Sequence, residues 1–381
     1  MKKFARKKYL ICLLPFCING VQAEEVEESS GGLSYNSSIT VKTAYDDNVL
    51  GTNDPISSSV TTVSPSFALS ANGAKTTFNL EYALSHSIYS EKQASSITNH
   101  SFSAGSSYQF DVRNKLSVNT SLQQSEGISR TRVVGQADEF RATDVAFNYE
   151  YGAPGAKGNI VTGVNFGSYN TINDFNFDQN RKTFGGMFEF SLRASEKSRA
   201  LLGVEAIKTE YQYADSKDNV GYTAYTGMQW DATAKTTGRV TLGYQKQNYD
   251  DSALNRNQES LNWSIGATWS PKTYSQFSLV SSQAISEGFY GAASQKVRSV
   301  LLSWNHDWGG FITTGLSVEN AVNKYSNGRD DDSQTYSALV SYQYLRWLNF
   351  SLGVSKSDFN STDIKYDFDR NTYYLSATAV F

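Results

Sequence analysis

Side chains alternate between apolar residues and smaller or polar ones along nearly the whole chain, and the final segment shows this pattern clearly. One face of that segment carries Tyr373, Leu375, Ala377, Ala379 and Phe381, and the positions between them hold Tyr374, Ser376, Thr378 and Val380. A period of two is the side-chain period of a β-strand. Because helical periodicity is absent, the pattern predicts an all-β protein in which each strand has one apolar face.

About eighteen alternating segments follow one another without a linker, a charge block or a Pro-rich stretch between them. The weakest segments lie around Leu202 and Val204 and around Phe277 and Leu279, so sixteen strands is the alternative. Both numbers are even, as in bacterial single-chain membrane barrels.

The connections between segments alternate in length, which is independent information about the fold. Short turns such as 111–114 and 270–273 alternate with long polar loops such as 46–57 and 247–258. Transmembrane barrels have short periplasmic turns and longer extracellular loops. The sequence therefore predicts a transmembrane antiparallel up-and-down β-barrel with all long loops at its extracellular end.

The composition agrees with such a barrel. The chain has 24 Tyr, 21 Phe and 6 Trp, only 5 Pro, and a mean hydropathy of −0.45. After residue 23, no apolar run approaches the roughly 18 residues that a transmembrane helix needs. Polar lumen residues dilute the hydropathy of barrel strands, and aromatic girdles enrich them in Tyr and Trp.

Residues 1–23 are expected to form a secretory signal peptide, because five basic residues precede a short apolar run and Val21-Gln22-Ala23 resembles a cleavage site. Cleavage near Ala23 would leave a short periplasmic segment, 24–31, and a single barrel domain, 32–381. Such a protein is expected in the outer membrane of a Gram-negative bacterium.

Cleavage would also change the chemistry of the chain. Both cysteines, Cys12 and Cys17, lie in the predicted signal, so neither disulfides nor thiol chemistry is expected in the mature protein. The whole chain has 34 Lys+Arg and 37 Asp+Glu, and removal of five basic residues leaves 29 against 37, a net charge of −8. An acidic chain is a poor candidate for binding nucleic acid.

The positions between the apolar ones are mostly Ser, Thr, Asn and Gly near the middle of the strands. Side chains this small cannot fill a barrel of sixteen to eighteen strands, which is wide enough for an aqueous channel. The interior is therefore predicted to be a hydrated pore, unless a long loop folds inward. Its small polar lining suits a large hydrophilic solute with little charge, such as a carbohydrate.

Charged and amide residues on this face are sparse and of mixed sign. They are expected to keep the lumen wet and to pair across strands, with a charged selectivity ring as the alternative. The predicted lumen-facing residues are Lys42, Glu81, Asn119, Asp144, Asn165, Glu189, Arg193, Glu205, Arg239, Asn262 and Glu319.

Catalysis and metal binding are not expected. His86 and His100 flank one loop and could form a Ser/His pair with a nearby serine, but such pairs arise by chance in a serine-rich chain. The acidic runs 46–48 and 330–332 carry oxygen ligands suited to Ca²⁺, yet neither has EF-hand spacing. We therefore predict no catalytic residues, no cofactor and no bound metal.

A motif at the end of the first strand resembles a known family. Tyr45, Asp46, Asp47 and Asn48, followed by Val49, are similar to the Tyr-Asp-Asp-Asn-aliphatic signature of β-barrel porins from exopolysaccharide and capsule biosynthesis loci. Strand number, loop pattern and length extend the resemblance over the mature chain. It implies an outer-membrane path for a polysaccharide, acting with a periplasmic polysaccharide export protein.

Two alternatives to polysaccharide export remain at this stage: a diffusion porin for nutrient uptake, and a structural or adhesive surface barrel. In every case the outer-membrane lipid is an expected partner. The terminal Phe381 resembles the last residue of the signal that outer-membrane barrels present to the barrel-assembly machinery. We therefore expect Phe381 to act in membrane insertion.

Overall fold

The computed structural model describes residues 32–128, 137–172, 176–233, 235–251, 257–289 and 291–381, and in them eighteen antiparallel strands close into one barrel. The predicted signal peptide and the segment 24–31 lie outside these residues. In chain order the strands are β1 (Leu33–Asp46), β2 (Ser58–Asn72), β3 (Thr76–Tyr89), β4 (Ile97–Gln109), β5 (Asn114–Ile128), β6 (Ala137–Tyr151), β7 (Gly158–Thr171), β8 (Arg181–Ser195), β9 (Ser198–Tyr211), β10 (Asn219–Thr233), β11 (Thr236–Tyr249), β12 (Gln258–Lys272), β13 (Ser275–Glu287), β14 (Ser294–Asp307), β15 (Ile312–Tyr325), β16 (Asp330–Leu345), β17 (Leu348–Ser361) and β18 (Phe368–Val380).

The barrel closes because the last strand pairs with the first. The β1–β18 register runs from Asp46 opposite Thr372 to Ser38 opposite Val380, and the Phe381 N–H donates to the Ser37 carbonyl at 2.8 Å. Every other strand pairs with its two sequence neighbours. Closure gives every strand a neighbour on both sides, which a strand protein in lipid requires because lipid cannot satisfy backbone N–H and C=O groups.

The predicted barrel class and the count of eighteen strands are confirmed, and the two weakest segments are the full-length strands β9 and β13. Most connections also sort by length as predicted, although β15–β16 at the extracellular end is only residues 326–329 and β6–β7 at the periplasmic end is 152–157. The connection β8–β9 is residues 196–197 and β16–β17 is 346–347, whereas β1–β2 at the opposite end is 47–57. No helix in the described part of the chain is long and apolar enough to cross a membrane.

The short turn between β4 and β5 shows how the sequence sets such connections. The Asp111 carboxylate accepts the backbone N–H groups of Arg113 at 2.7 Å and Asn114 at 3.0 Å, as aspartate does in Asx turns. The hydrogen bond from Arg113 N–H, followed by that from the Asn114 side chain, lowers the pKa of Asp111. The turn is therefore stabilised by an ionised aspartate.

An apolar cluster lies at the extracellular mouth, on the inner side of the barrel. Val49 and Leu50 of the β1–β2 connection pack with Ala94 of the β3–β4 connection. Val60 and Tyr89, which are paired across β2 and β3, border this cluster. These two long connections therefore fold against the mouth of the barrel at β1–β4.

Candidate functional site: the barrel lumen

The two faces of the barrel wall differ in chemistry, and the strand register shows which residues share a face. Directly paired residues point to the same side, and pairs such as Phe166 with Phe184 and Phe190 with Leu202 carry the apolar phase from strand to strand. These side chains are exposed in the isolated chain, between 36% and 60%. In a membrane this phase contacts lipid, so the opposite phase lines the lumen.

All eleven predicted lumen-facing residues lie on the phase opposite to the apolar one. They are distributed around the barrel: Lys42 on β1, Glu81 on β3, Asn119 on β5, Asp144 on β6, Asn165 on β7, Glu189 and Arg193 on β8, Glu205 on β9, Arg239 on β11, Asn262 on β12 and Glu319 on β15. Within the described residues, the only hydrogen bond or ion pair between two of these eleven residues joins Glu189 and Arg239. Whether any of them contacts a solute stays a prediction.

Hydroxyl groups form cross-strand pairs over much of the lumenal wall. Ser38 and Ser66 are 2.7 Å apart, Thr40 and Thr378 2.8 Å, and Ser341 and Ser351 2.8 Å. Further pairs on the same face are Ser34–Ser70, Thr62–Ser87, Thr77–Ser107, Ser282–Ser299, Thr335–Ser357 and Ser337–Ser355. In each pair one hydroxyl donates its only hydrogen, so the other can still donate and both can still accept, and this wall can exchange hydrogen bonds with water or with hydroxyls of a solute.

The one joined pair among the predicted residues is part of a three-residue cluster. The Arg239 guanidinium donates to both carboxylate oxygens of Glu189, and the Tyr225 hydroxyl donates to the same carboxylate at 2.8 Å. The Glu189 side chain is 10% exposed and that of Arg239 38%. Tyr225 was not among the predicted residues, although its inward phase on β10 could have identified it.

Glycine at position 203 makes room for this cluster. Gly203 lies between Glu189 and Tyr225 in the register, and a Cβ there would be 2.2 Å from the Tyr225 ring. The tyrosine therefore lies flat across β9 to reach Glu189 on β8.

We expect Gly203→Ala to lower the free energy of unfolding by about 2 kcal/mol, since overpacking of this kind displaces side chains from their preferred positions. Urea unfolding followed by tryptophan fluorescence measures the change. Gly266→Ala is the matched control, because Gly266 lies on the inward face of β12 and a Cβ there would meet nothing within 4 Å. Equal effects of the two substitutions would contradict this account of Gly203.

The upper part of β13 leaves the barrel wall and lies inside it. Pairing of β12 with β13 ends at Trp263 opposite Gln283, although β12 continues to Gln258 and β13 to Glu287. Above that point the Gln245 amide, on the inward face of β11, bonds both the N–H and the carbonyl of Ile285, at 2.8 and 2.9 Å. The hairpin of β13 and β14 therefore covers the inner face of β11 and β12.

The sequence left open whether a long loop folds into the lumen. The structure shows that this hairpin does. We define the infolded hairpin as residues 284–289 and 291–294. Its carboxylate, Glu287, contacts inward-facing side chains of three wall strands: Thr209 and Tyr211 on β9, Asn219 on β10 and Gln247 on β11. The lumen at its extracellular end is therefore narrower than the strand count alone predicts.

The motif residues at the end of β1 join the first and last strands at the extracellular end. Both carboxylate oxygens of Asp47 accept hydrogen bonds from Asn371, one from its backbone N–H at 2.6 Å and one from its side chain at 2.7 Å. Arg370 donates to the Asn48 carbonyl at 2.9 Å and lies 3.6 Å from the Asp46 carboxylate. Tyr45 faces outward and is half-exposed.

The second acidic run also has protein partners. Arg329 donates to both carboxylate oxygens of Asp331, at 2.7 and 2.8 Å, and Asn320 donates to Asp332 at 3.0 Å. The absence of a metal site at either run stays a prediction.

The comparisons with known proteins identify the family. The family model described as "Putative beta-barrel porin 2" matches residues 28–381. The chain belongs to this family. Its architecture is that of the outer-membrane β-barrels that include porins and transporters. A comparison with curated proteins gave no match.

Solved structures similar to this porin-family chain share little sequence with it. The FrpB iron transporter of Neisseria meningitidis (F3-3 variant) has 14% identity, with 85% of this chain and 62% of that chain covered and a TM-score of 0.47. The chain therefore spans less than two thirds of that transporter. OpdK of Pseudomonas aeruginosa, solved with vanillate, has 11% identity, 91% and 99% coverage and a TM-score of 0.48.

The histidines considered for catalysis lie on the outward face of this porin-family barrel. His86 Nδ1 is 2.9 Å from the Thr98 hydroxyl, and His100 Nδ1 is 3.0 Å from the Tyr82 hydroxyl. Among the described residues, no serine hydroxyl is hydrogen-bonded to either ring. That the protein is not an enzyme stays a prediction.

Proposed function

We propose that this barrel provides an aqueous path through the outer membrane for the export of an exopolysaccharide or capsular polysaccharide. The observation that carries the proposal is the lumenal wall of paired serine and threonine hydroxyls, for example Ser38–Ser66 and Ser341–Ser351. A polysaccharide is rich in hydroxyls that can replace these partners one at a time. The polysaccharide can then move along the wall without losing many hydrogen bonds at once.

The few charges on the wall fit the same proposal. Arg239 is neutralised by Glu189, and other inward carboxylates such as Asp144, Glu205 and Glu319 are on different strands. The described part of the lumenal wall has no dense array of arginines. A dense array of one sign would hold an oppositely charged polymer strongly. A sparse, mixed lining suits a neutral or weakly charged polymer. The path is proposed to be non-catalytic and to work without a cofactor.

The resemblance of the Tyr45–Asn48 motif to porins of polysaccharide loci adds a proposed partner, a periplasmic polysaccharide export protein that delivers the polymer to the barrel. The short periplasmic turns, such as 196–197 and 346–347, leave the periplasmic opening uncovered by long loops. An export protein could therefore dock directly against the rim. We also propose the outer-membrane lipid and the barrel-assembly machinery as partners, the latter through Phe381.

Deletion of the gene is expected to abolish surface polysaccharide while leaving growth on small sugars unchanged. Surface carbohydrate is measured on washed cells of the deletion strain, the parent and a strain complemented with the wild-type gene. The complemented strain controls for effects on neighbouring genes. Normal surface polymer in the deletion strain would refute the export proposal.

A second candidate is a diffusion porin for nutrient uptake, and the infolded hairpin is the observation that favours it. A layer inside the wall narrows the lumen, and a narrowed lumen selects small solutes more readily than it passes a polymer. Liposome swelling with mono- and oligosaccharides, together with growth of the deletion strain on limiting sugars, separates the two functions. Slow growth with normal surface polymer would favour diffusion.

A further inference from the structure

The infolded hairpin is attached to the wall through one carboxylate with several donors. The Glu287 carboxylate accepts from the Tyr211 hydroxyl at 2.5 Å, from Gln247 Nε2 at 3.0 Å and from Asn219 Nδ2 at 3.3 Å. The Thr209 hydroxyl contributes a longer bond at 3.4 Å. The wall residues in this contact are almost fully enclosed, with Thr209 2% and Asn219 3% exposed.

The infolding reverses the side of the wall that Glu287 faces. Glu287 occupies the same phase of β13 as Phe277 and Leu279, which belong to the lipid-facing side of the wall. If β13 stayed in the wall along its whole length, this carboxylate would face outward. Because β13 turns inside β12, the same phase faces the polar inner surface of β9–β11 instead. The carboxylate is then satisfied by hydrogen bonds, which a charge removed from water requires.

In the described residues, further hydrogen bonds of the hairpin involve its backbone groups. Gly288 N–H donates to the Ala293 carbonyl at 3.0 Å and closes the tip. The Ser326 hydroxyl accepts the N–H groups of Ala293 and Ser294, which joins the hairpin to the β15–β16 connection. Towards β11, Gln245 is bonded to the Ile285 backbone. Of these contacts, only those of Glu287 extend as far as β9.

We propose that the infolded hairpin sets the size limit of the pore and that Glu287 is the residue that positions it. Two β-layers packed face to face are about 10 Å apart, so a hairpin inside the wall removes a layer of about that thickness from the lumen on this side. The inference goes beyond polysaccharide export and shares with it only the premise that the lumen carries solute. Without the Glu287 contacts, the hairpin would be free to move away from β9 and β10.

The test is the pore size of the full-length mature protein in planar bilayers. Single-channel conductance is recorded in KCl with polyethylene glycols of increasing mass, which reduce conductance only when they enter the pore. We expect Glu287→Ala to raise conductance about twofold, as expected if a layer of about 10 Å leaves the lumen. We also expect it to raise the mass of the largest glycol that enters. Glu287→Gln, which keeps the length and one acceptor oxygen, should give a size limit nearer to that of the wild type.

Glu319→Ala is the matched control, because it removes an inward carboxylate on β15 that has no contact with the hairpin in the described residues. It removes one carboxylate, as Glu287→Ala does, but should leave the glycol size limit unchanged. If Glu287→Ala alone gives little folded barrel, as judged by heat-modifiable migration in gels, Tyr211→Phe serves as the second variant. That substitution removes the shortest bond to Glu287 and should raise the size limit by a smaller amount.

The bilayer outcomes test the inference about the hairpin and do not test the proposed function. A wild type that is silent while Glu287→Ala conducts would support a hairpin that closes the pore. An unchanged size limit in Glu287→Ala and Tyr211→Phe, or a shift equal to that of Glu319→Ala, would overturn the inference. Silence of all variants would overturn it too. Polysaccharide export is judged by the surface polymer of the deletion strain, which the bilayer result does not determine.

Discussion

Replacing Asn48 with alanine is expected to lower the free energy of unfolding of the barrel by about 3 kcal/mol, because it removes three hydrogen bonds made by an almost fully enclosed side chain, each worth about 1 kcal/mol. Asn48 is 2% exposed. Its side-chain amide donates to the Thr52 carbonyl at 2.8 Å and to the Asp369 carbonyl at 3.0 Å, and its oxygen accepts the Thr52 N–H at 3.2 Å. The bond to Asp369 joins the first extracellular connection to β18, so the loss weakens the closure of the barrel.

The measurement is urea unfolding of the refolded barrel in lipid vesicles, followed by tryptophan fluorescence. Asn360→Ala is the control, because Asn360 is an exposed asparagine on the outward face of β17, near the same end. Its removal should change the free energy of unfolding by no more than about 0.5 kcal/mol. A loss for Asn48→Ala as small as the control would show that the motif does not stabilise the junction of β1 and β18.

The barrel could be predicted from the sequence because its constraints are local. A period of two assigns each residue to lipid or lumen, and alternating connection lengths assign each end of a strand to one side of the membrane. Even β9, where Leu202 and Val204 are the only large apolar residues of the lipid phase, was found because turns bound it on both sides. The inward phase of residues such as Asp144 and Glu319 follows from the same rule.

The infolded hairpin could not be predicted, because it reverses the assignment of alternate residues to lipid and lumen on which the other predictions depend. In β13 the residues after Val280 are Ser281, Ser282, Gln283 and Ala284, which show no alternation and so do not mark where the strand leaves the wall. Glu287 then faces the lumenal wall from a lipid-phase position. Its partners are separated from it by 40 to 78 residues in the chain. No local pattern identifies such a contact.

The contacts of the Tyr45–Asn48 motif could not be predicted from the sequence either. The Tyr45–Asn48 segment resembles a family signature. Its acidic residues by themselves indicate only a solvated loop or a set of oxygen ligands for a metal ion. Its partners Asp369, Arg370 and Asn371 lie more than 320 residues away and meet it only once the barrel is closed. Ring closure brings the two ends of the chain together, and nothing in either segment specifies the other.

Removal of Arg239 is also expected to destabilise the barrel. Arg239→Ala leaves the Glu189 carboxylate, whose side chain is 10% exposed, with Tyr225 as its remaining described partner. Breaking a fully buried ion pair costs about 3–5 kcal/mol, and because the Arg239 side chain is 38% exposed we expect about 2 kcal/mol. The loss of a cation from the lumen should also raise the preference of the pore for K⁺ over Cl⁻.

Urea unfolding and the reversal potential in a KCl gradient measure the two effects on the same protein. Glu189→Gln combined with Arg239→Ala should recover part of the stability and the original ion preference, because a neutral amide needs no countercharge and can still accept from Tyr225. Arg193→Ala removes an inward arginine that bonds only carbonyls of Gly155 and Ser195 in the described residues, so it leaves no carboxylate unpaired. It should therefore alter ion preference with little loss of stability. If Arg239→Ala destabilises no more than Arg193→Ala, the Glu189 pair does not hold β8 to β11, and the charges of the lumen act independently.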